Sequence, residues 1–501
     1  MSVTIGAMDL ARRVQKLTGI LDVAKALTAE RDLDRLLARI VEEAKRVVDA
    51  DRCSLFILDQ EKNELWSKVA QGLGTTVLRF PLGRGIAGVV AQKGQVINLP
   101  DAYKDERFNP AVDRATGYAT HSILCMPMLD HEGRVAGVLQ ALNKRSGAPF
   151  DVEDEELLGA MGGQAAVAIQ NALLHEDIQR LFEGFVRASV VAVESRDPVT
   201  AGHSERVAML TLGLADALPR AGATAGPWRH SALTDDERVE LRYAALLHDF
   251  GKVGVREGVL VKANKLFPSD LEILRARFDA IAAALETEIL REQLTVLEQE
   301  GRGSPRLAEL TARAAARRTE IVELWNFILQ CNKPSVLAEG VPARLGEVAQ
   351  RTYRDMAGVS RTFLTPDEVE VLSIRRGSLS SKERLEIESH VTHTFRFLSQ
   401  IPWTRALRNV PTIAYGHHEK LDGHGYPRAL SAEAIPLQTR MMTISDIYDA
   451  LTASDRPYKK ALPREKAMEI LRDESRRGFL DRDLLAVFTE ADVPMLMKKA
   501  T

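Results

Sequence analysis

The chain has 501 residues, 45% hydrophobic and 27% charged, with a formal net charge of -3. This length exceeds one ordinary core, the composition is that of a globular chain, and a balanced charge excludes the basic field of a nucleic-acid polymer binder. Three scattered cysteines, Cys53, Cys125 and Cys331, give no disulfide framework and fit a reducing, cytoplasmic setting. The charged N-terminus and the lack of a long uninterrupted apolar run predict neither a signal peptide nor a membrane span.

In chain order, an N-terminal helical segment is expected over 1–19. A helix follows from Leu33 to Val48, with Leu36, Leu37, Ile40, Val41 and Ala44 at helical spacing. Short strand candidates come next: Cys53–Leu58, Leu65–Ala70, Val77–Phe80, Val96–Leu99, Ser122–Met128 and Arg134–Leu142. Asp130-His131-Glu132-Gly133 reads as a hairpin turn, and a closing helix starts near Asp151. The pattern predicts an α+β sandwich over 20–175.

Those residues resemble a GAF domain of the cyclic-nucleotide-binding branch. The resemblance rests on Gly85-Ile86-Ala87-Gly88, on Asn98 through Tyr103, on Thr116-Gly117-Tyr118, and on the spaced signature Asn143, Lys144, Phe150, Asp154 and Glu155. It implies a bound cyclic nucleotide, with a purely dimerising GAF fold, or one tuned to another small molecule, as the alternatives. Lys144 and Asp154 could touch that ligand or form a structural ion pair. The N-terminus of the helix at Gly85 offers backbone donors suited to a phosphate.

Leu174, Ile178, Leu181 and Phe185 recur at spacings of four, three and four, a coiled-coil stripe on a connecting helix over 176–192. A homodimer through that helix is expected.

Beyond it, His203 opens a helical pattern and His248-Asp249 closes another. His390, the adjacent His417-His418, and Asp446 follow. Five of the eleven histidines fall in these segments. Imidazoles and carboxylates without thiolates suit a first-row ion such as Fe, Mn or Zn. Adjacent residues of a helix project in different directions, which sets His418 against His417.

The set resembles the HD-GYP family of the HD phosphohydrolase superfamily. The carrying residues are His248-Asp249-Phe250-Gly251-Lys252, His417-His418-Glu419 through Gly423-His424-Gly425-Tyr426-Pro427, and Asp446 with Arg456-Pro457-Tyr458-Lys459. The resemblance implies an all-α HD-type phosphohydrolase domain over 193–480, a tail over 481–501, and hydrolysis of cyclic di-GMP by two divalent metal ions. It places His203, His248, Asp249 and Asp446 around one ion. Asp249 bridges to a second ion held by His390, His417 and His418. Where some members carry a third-metal glutamate, this chain has Val199.

Lys252 would neutralise charge developing on phosphorus. Arg456 and Lys459 would face a second phosphate, and Gly425 lets the loop approach the substrate. Tyr426 either stacks on a base or braces the loop. The rival readings are an HD hydrolase of another cyclic dinucleotide or nucleotide phosphate, and a non-catalytic nucleotide-binding protein.

One departure stands out: His248 and His390 lie 142 positions apart. The extra material, about 263–371, carries the stripes Leu271, Leu274, Phe278, Ile281, Leu285 and Leu310, Ile321, Leu324, Ile328. Gly301, Gly303 and Pro305 stand between them, and the whole predicts a helical hairpin. It could be a lid, a dimer contact, a partner platform or inert.

Overall fold

The computed structural model describes residues 30, 32–70, 78–196, 202–355, 357–453 and 461–498. The N-terminal segment 1–19, Val199, Arg456 and Lys459 fall outside them. The chain divides into two compact units, Met1–Gly184 and Phe185–Thr501.

In the first unit, α1 (Leu33–Val47) is capped by the Asp32 carboxylate, which accepts from the Arg35 amide at 2.8 Å. Six strands follow: β1 (Ala50–Asp59), β2 (Glu64–Ala70), β3 (Leu78–Pro81), β4 (Ile97–Leu99), β5 (Ile123–Leu129) and β6 (Val135–Lys144). Helices α2 (Gly85–Lys93) and α3 (Ala111–Thr116) lie among them in sequence. The sheet order is β3-β2-β1-β6-β5-β4, antiparallel throughout.

Alternation along β1 divides the core. Cys53, Leu55 and Ile57 pack with α1 and the closing helix α4 (Val152–Glu194), while Phe56 packs with Ile86 and Val90 of α2 on the other face. The expected connecting helix is thus continuous with the closing helix. Part of α4 is as long and apolar as a bilayer span requires, but half of that window is buried, and Leu158, Met161, Ala165 and Ile169 belong to the core. Further along α4, Leu174, Ile178, Leu181 and Phe185 are exposed.

In the second unit, α5 (His203–Ala217), α6 (Asp235–Leu247), α12 (Ser381–Leu398), α13 (Val410–Tyr415) and α14 (Leu437–Thr452) carry the candidate ligands. Between α6 and α12 lie α7 (Glu257–Leu260), α8 (Pro268–Glu300), α9 (Pro305–Asn332), α10 (Val341–Gln350) and α11 (Pro366–Leu372). The insertion is a helical hairpin of α8 and α9. Its base packs Leu274, Phe278 and Ile281 on Ile321, Leu324 and Ile328, together with Leu345 and Phe363. A small ladder, β7 (Thr352–Arg354) with β8 (Ser360–Thr362), completes it.

After α15 (Arg464–Arg476), the residues expected as a tail form α16 (Arg482–Glu490) and α17 (Val493–Lys498). Leu484, Leu485, Val487 and Phe488 are buried, and Asp481 caps α16, so this stretch has the apolar face and the cap of a packed helix.

Candidate metal centre

Helix α6 starts at a capping box, Thr234 with Glu237, and delivers His248 at its C-cap with Asp249 next. A 3-10 turn, Phe250–Gly254, then runs against α12. A Cβ at Gly251 would lie 1.9 Å from the His390 carbonyl oxygen and 2.3 Å from the Thr394 nitrogen, so only glycine permits this approach. Thr394 ties the two together: it accepts from the Gly251 amide at 2.8 Å and donates to the His248 carbonyl at 2.9 Å. Helix α12 begins at its own capping box, Ser380 with Glu383, and carries His390 inward.

Helix α13 stops at Gly416, and His417 and His418 follow in a turn rather than a helix. The helical argument that set them apart therefore fails, and the two rings lie 4.1 Å apart facing the same cluster. His203 is the first residue of α5, and Asp446 projects from the middle of α14.

These side chains form two groups around one carboxylate. His203 Nε2 is 3.2 Å from Asp446 Oδ1, and His248 Nε2 is 3.8 Å from the same oxygen. Asp249 Oδ2 lies 3.8 Å from His203 Nε2 and 3.5 Å from His248 Nε2. Its other oxygen, Oδ1, lies 3.3 Å from His390 Nε2 and 4.0 Å from His417 Nε2. Donor atoms of His203, His248 and Asp446 lie within 4.8 Å of one another, as do those of His390, His417 and His418. The residues suit divalent ions: His248 Nε2 is buried with no hydrogen-bond partner, an orphan acceptor that a cation would satisfy.

The far ring nitrogens fix the tautomers. Nδ1 of His248, His390 and His417 lies 2.6 to 2.7 Å from the carbonyls of Ala245, Ile387 and Ala414. A carbonyl only accepts, so Nδ1 carries a proton in each ring, and Nε2 is the nitrogen turned toward the cluster. His203 instead meets a carboxylate, Asp449 Oδ2 at 2.7 Å, which Arg206 holds through Nε at 2.7 Å and a second nitrogen at 3.0 Å. Asp449 and Arg206 were missed in sequence. The available signal was Asp449 three residues after Asp446, on the same helix face.

Burial pushes His248 down, His417 well down, and His418 to about 4, leaving these imidazoles neutral. Burial also works against charge on Asp249, but Lys252, with Nζ at 2.9 Å, and the neighbouring histidines outweigh it and hold the carboxyl well below its usual range. Asp446 is likewise held low against burial, chiefly by His203. On His203 the hydrogen bonds to Asp446 and Asp449 overcome burial and raise it to about 9. Neutral imidazoles and ionised carboxylates are the states in which such groups bind a metal, so His203 has to give up a proton to join the set.

Glu419, also missed, accepts from the Arg428 amide at 2.8 Å and the Leu430 amide at 2.9 Å, closing the Gly-Tyr-Pro loop upon itself. Gly425 is packed there: a Cβ would come within 2.3 Å of the Lys420 nitrogen. Tyr426 lies 4.8 Å from the His418 ring, bracing the loop against the cluster.

In the first unit the signature residues make structural contacts. Lys144 pairs with Asp154 and, at 3.2 Å, Asp151 at the start of α4. Asn98 donates to Glu155 at 2.8 Å and to the Phe150 carbonyl at 3.0 Å. Asn143 accepts from the His121 amide at 2.7 Å and donates to the Tyr118 hydroxyl at 3.0 Å. None of the five lines the cavity of about 430 Å³ between sheet and α2, whose walls include Arg52, Phe56, Arg84, Phe108, Tyr118 and Thr120.

Comparison with known proteins adds the following. Residues 32–169 match a family model described as GAF domain, and residues 200–321 and 349–484 each match a model described as HD domain. A dual 3′,5′-cyclic-AMP and -GMP phosphodiesterase 11A of Takifugu rubripes is 41% identical over 166 residues, 31% of this chain and 18% of that protein. A probable 3′,5′-cyclic phosphodiesterase of Caenorhabditis elegans is 34% identical over 185 residues, 34% of this chain and 25% of that protein. The chain thus spans a quarter or less of either relative. A GAF domain/HD domain protein from Geobacter sulfurreducens aligns at 15% identity and a TM-score of 0.25, covering 30% of this chain and 98% of that one. The chain is an N-terminal GAF domain followed by a helical HD domain.

Proposed function

We propose that the chain is a metal-dependent phosphodiesterase that opens a cyclic nucleotide, with cyclic di-GMP as substrate, under control of a cyclic nucleotide bound in the GAF domain. The observation that carries this reading is Asp249, whose two oxygens face two groups of ligand-type side chains that adjoin at His248 and His417. Two divalent ions held about 3.5 to 4 Å apart polarise a phosphodiester and lower the pKa of an attacking water. His203, His248 and Asp446 would hold one and His390, His417 and His418 the other. Lys252, at the edge of Asp249, supplies a cation where charge grows on phosphorus. Glu419 and Gly425 keep the Gly-Tyr-Pro loop in place beside His418, and that loop is the feature favouring a cyclic dinucleotide.

The arginines and aromatic rings around the GAF cavity offer a cyclic nucleotide both phosphate and base contacts. The exposed stripe of α4 supports a homodimer through the connecting helix.

A second reading, hydrolysis of a 3′,5′-cyclic mononucleotide, is favoured by the names of the relatives. The stretch they share with this chain is 166 to 185 residues, the length of one domain. Turnover of cyclic di-GMP, cyclic AMP and cyclic GMP by metal-loaded protein separates the readings. Cyclic di-GMP opened and both mononucleotides untouched is the expected result; the reverse establishes the second reading, and inertness toward all three, with metal bound, defeats both.

A further inference from the structure

Helix α4 starts in the GAF core and runs on into the second unit, to which its residues 185–194 belong. There Val186, Ser189 and Val193, three and four positions apart, form one buried face. Two charged side chains at this end, Glu194 and Arg196, take no part in the chemistry described above.

Glu194 is the last residue of α4, and it caps α5. The N-cap of α5 is Gly202, at φ 67°, which has no side chain to accept from the first-turn amides. Glu194, eight positions earlier, takes that place. One of its oxygens accepts from the Gly202 amide at 2.8 Å and the other from the Ser204 amide at 3.2 Å. These amides flank His203, so the carboxylate holds the backbone of a ligand residue from both sides, and its charge suits the positive end of the helix. Arg196 acts on the other segment. Its guanidinium donates to the Val253 carbonyl at 2.8 Å. Val253 lies in the turn Phe250–Gly254 that starts at Asp249, next to Lys252, whose Nζ is 2.9 Å from Asp249.

We propose that Glu194 and Arg196 are positioning residues for the metal centre, coupling the end of α4 to His203 and to the turn of Asp249 and Lys252 at once. Both reach backbone, so each places a whole segment rather than one side chain. His203 opens its helix and Asp249 precedes its turn, so neither is fixed by helix on both sides. In a site built on orientation, misplacement by about 1 Å can cost about 100-fold. The coupling is reciprocal: what an ordered α4 end adds to metal affinity, bound metal returns to the ordering of that end. Contacts that merely stabilised the fold would give no such exchange. The proposal rests on the reading of the cluster as a metal centre.

The test is hydrogen exchange of the full chain with and without saturating manganese(II), read by mass spectrometry, with affinity from calorimetric titration. Residues 274–281, in the packed base of the hairpin, report the stabilisation that metal gives the whole unit. The rise in protection of residues 185–196 is read above that level, and the expected excess in the parent chain is at least about fivefold. Glu194→Gln and Arg196→Met each lower the excess and together abolish it, and manganese affinity falls by the same factor as the excess that disappears. Circular dichroism matching the parent chain certifies each variant as folded. A rise no larger at 185–196 than at 274–281, an excess that survives both substitutions, or a manganese affinity indifferent to them overturns the proposal and leaves the phosphodiesterase reading standing. Failure of manganese to bind the parent chain overturns the metal reading and this proposal with it.

Discussion

Replacing Gly251 by alanine tests the joint that brings the two ligand groups together. The added Cβ would sit 1.9 Å from the His390 carbonyl oxygen, 2.3 Å from the Thr394 nitrogen and 2.8 Å from the Thr394 hydroxyl. A tolerable carbon–oxygen separation is about 3.3 Å. The turn and α12 must therefore part by about 1.4 Å. That displacement breaks the hydrogen bonds from the Gly251 amide to Thr394 and from Thr394 to the His248 carbonyl. Two buried hydrogen bonds are worth about 1 kcal/mol each, and overpacking against backbone adds about 1 to 3. A loss of about 3 to 5 kcal/mol follows. Because His390 rides on the displaced helix, metal binding at its side falls as well. Urea unfolding of the full chain, with metal content measured by mass spectrometry, reads both effects. Gly254→Ala is the control, since its Cβ would meet the His393 ring, a side chain that can swing aside. A Gly251→Ala protein within about 1 kcal/mol of the parent and with unchanged metal content would refute the close approach.

Three further outcomes are expected. Asp449→Asn removes the anion behind His203 and lowers metal affinity about 10- to 100-fold at the His203 side only, measured by calorimetric titration. Chelation lowers the thermal midpoint of the HD unit, since an ion at about 100 times its dissociation constant contributes ~2.7 kcal/mol, and scanning calorimetry should show the GAF transition unmoved. Hydrogen bonds from the Arg134 and Glu132 amides and from Arg134 and Gln170 hold Asp130 at about 2 against a usual 3.8. A depressed carboxyl stabilises above its unfolded value and loses that contribution as pH falls through its folded one. Exchange protection of the Asp130–Arg134 hairpin should therefore drop between about pH 4 and pH 2, and Asp130→Asn should abolish that dependence.

The parts of the molecule legible in sequence were those set by local pattern. The helical stripes of Leu271 to Leu285 and Leu310 to Ile328 coincide with α8 and α9, and the strand candidates fall on β1 to β6 within two or three residues. What escaped depends on contacts across the chain. Thr394 matters because it meets Gly251, 143 residues away, and Asp449 because it meets His203, 246 away. The GAF cavity was illegible for the same reason, since its walls come from noncontiguous strands and from α2. The contrast drawn between His417 and His418 assumed a helix, and the helix ends at Gly416, a glycine stop that stands before both.

The two halves of the centre differ in chemistry, and the difference predicts how ions distribute between them. His390, His417 and His418 offer imidazole nitrogens alone, while the other half adds the full charge of Asp446 and a histidine backed by Asp449. Imidazole suits zinc and other late first-row ions, whereas carboxylate oxygen suits manganese. Asp249 gives one oxygen to each half, with Lys252 also on Oδ2, the oxygen that faces His203 and His248. With one equivalent each of zinc and manganese, zinc should collect at the histidine trio and manganese at the half containing Asp446. Paramagnetic resonance of the manganese should then be insensitive to His418→Ala and lost with Asp446→Asn, while bound zinc shows the opposite pattern. If either substitution removes both ions alike, the halves do not bind independently, and the shared carboxylate rather than the separate donor sets governs the centre.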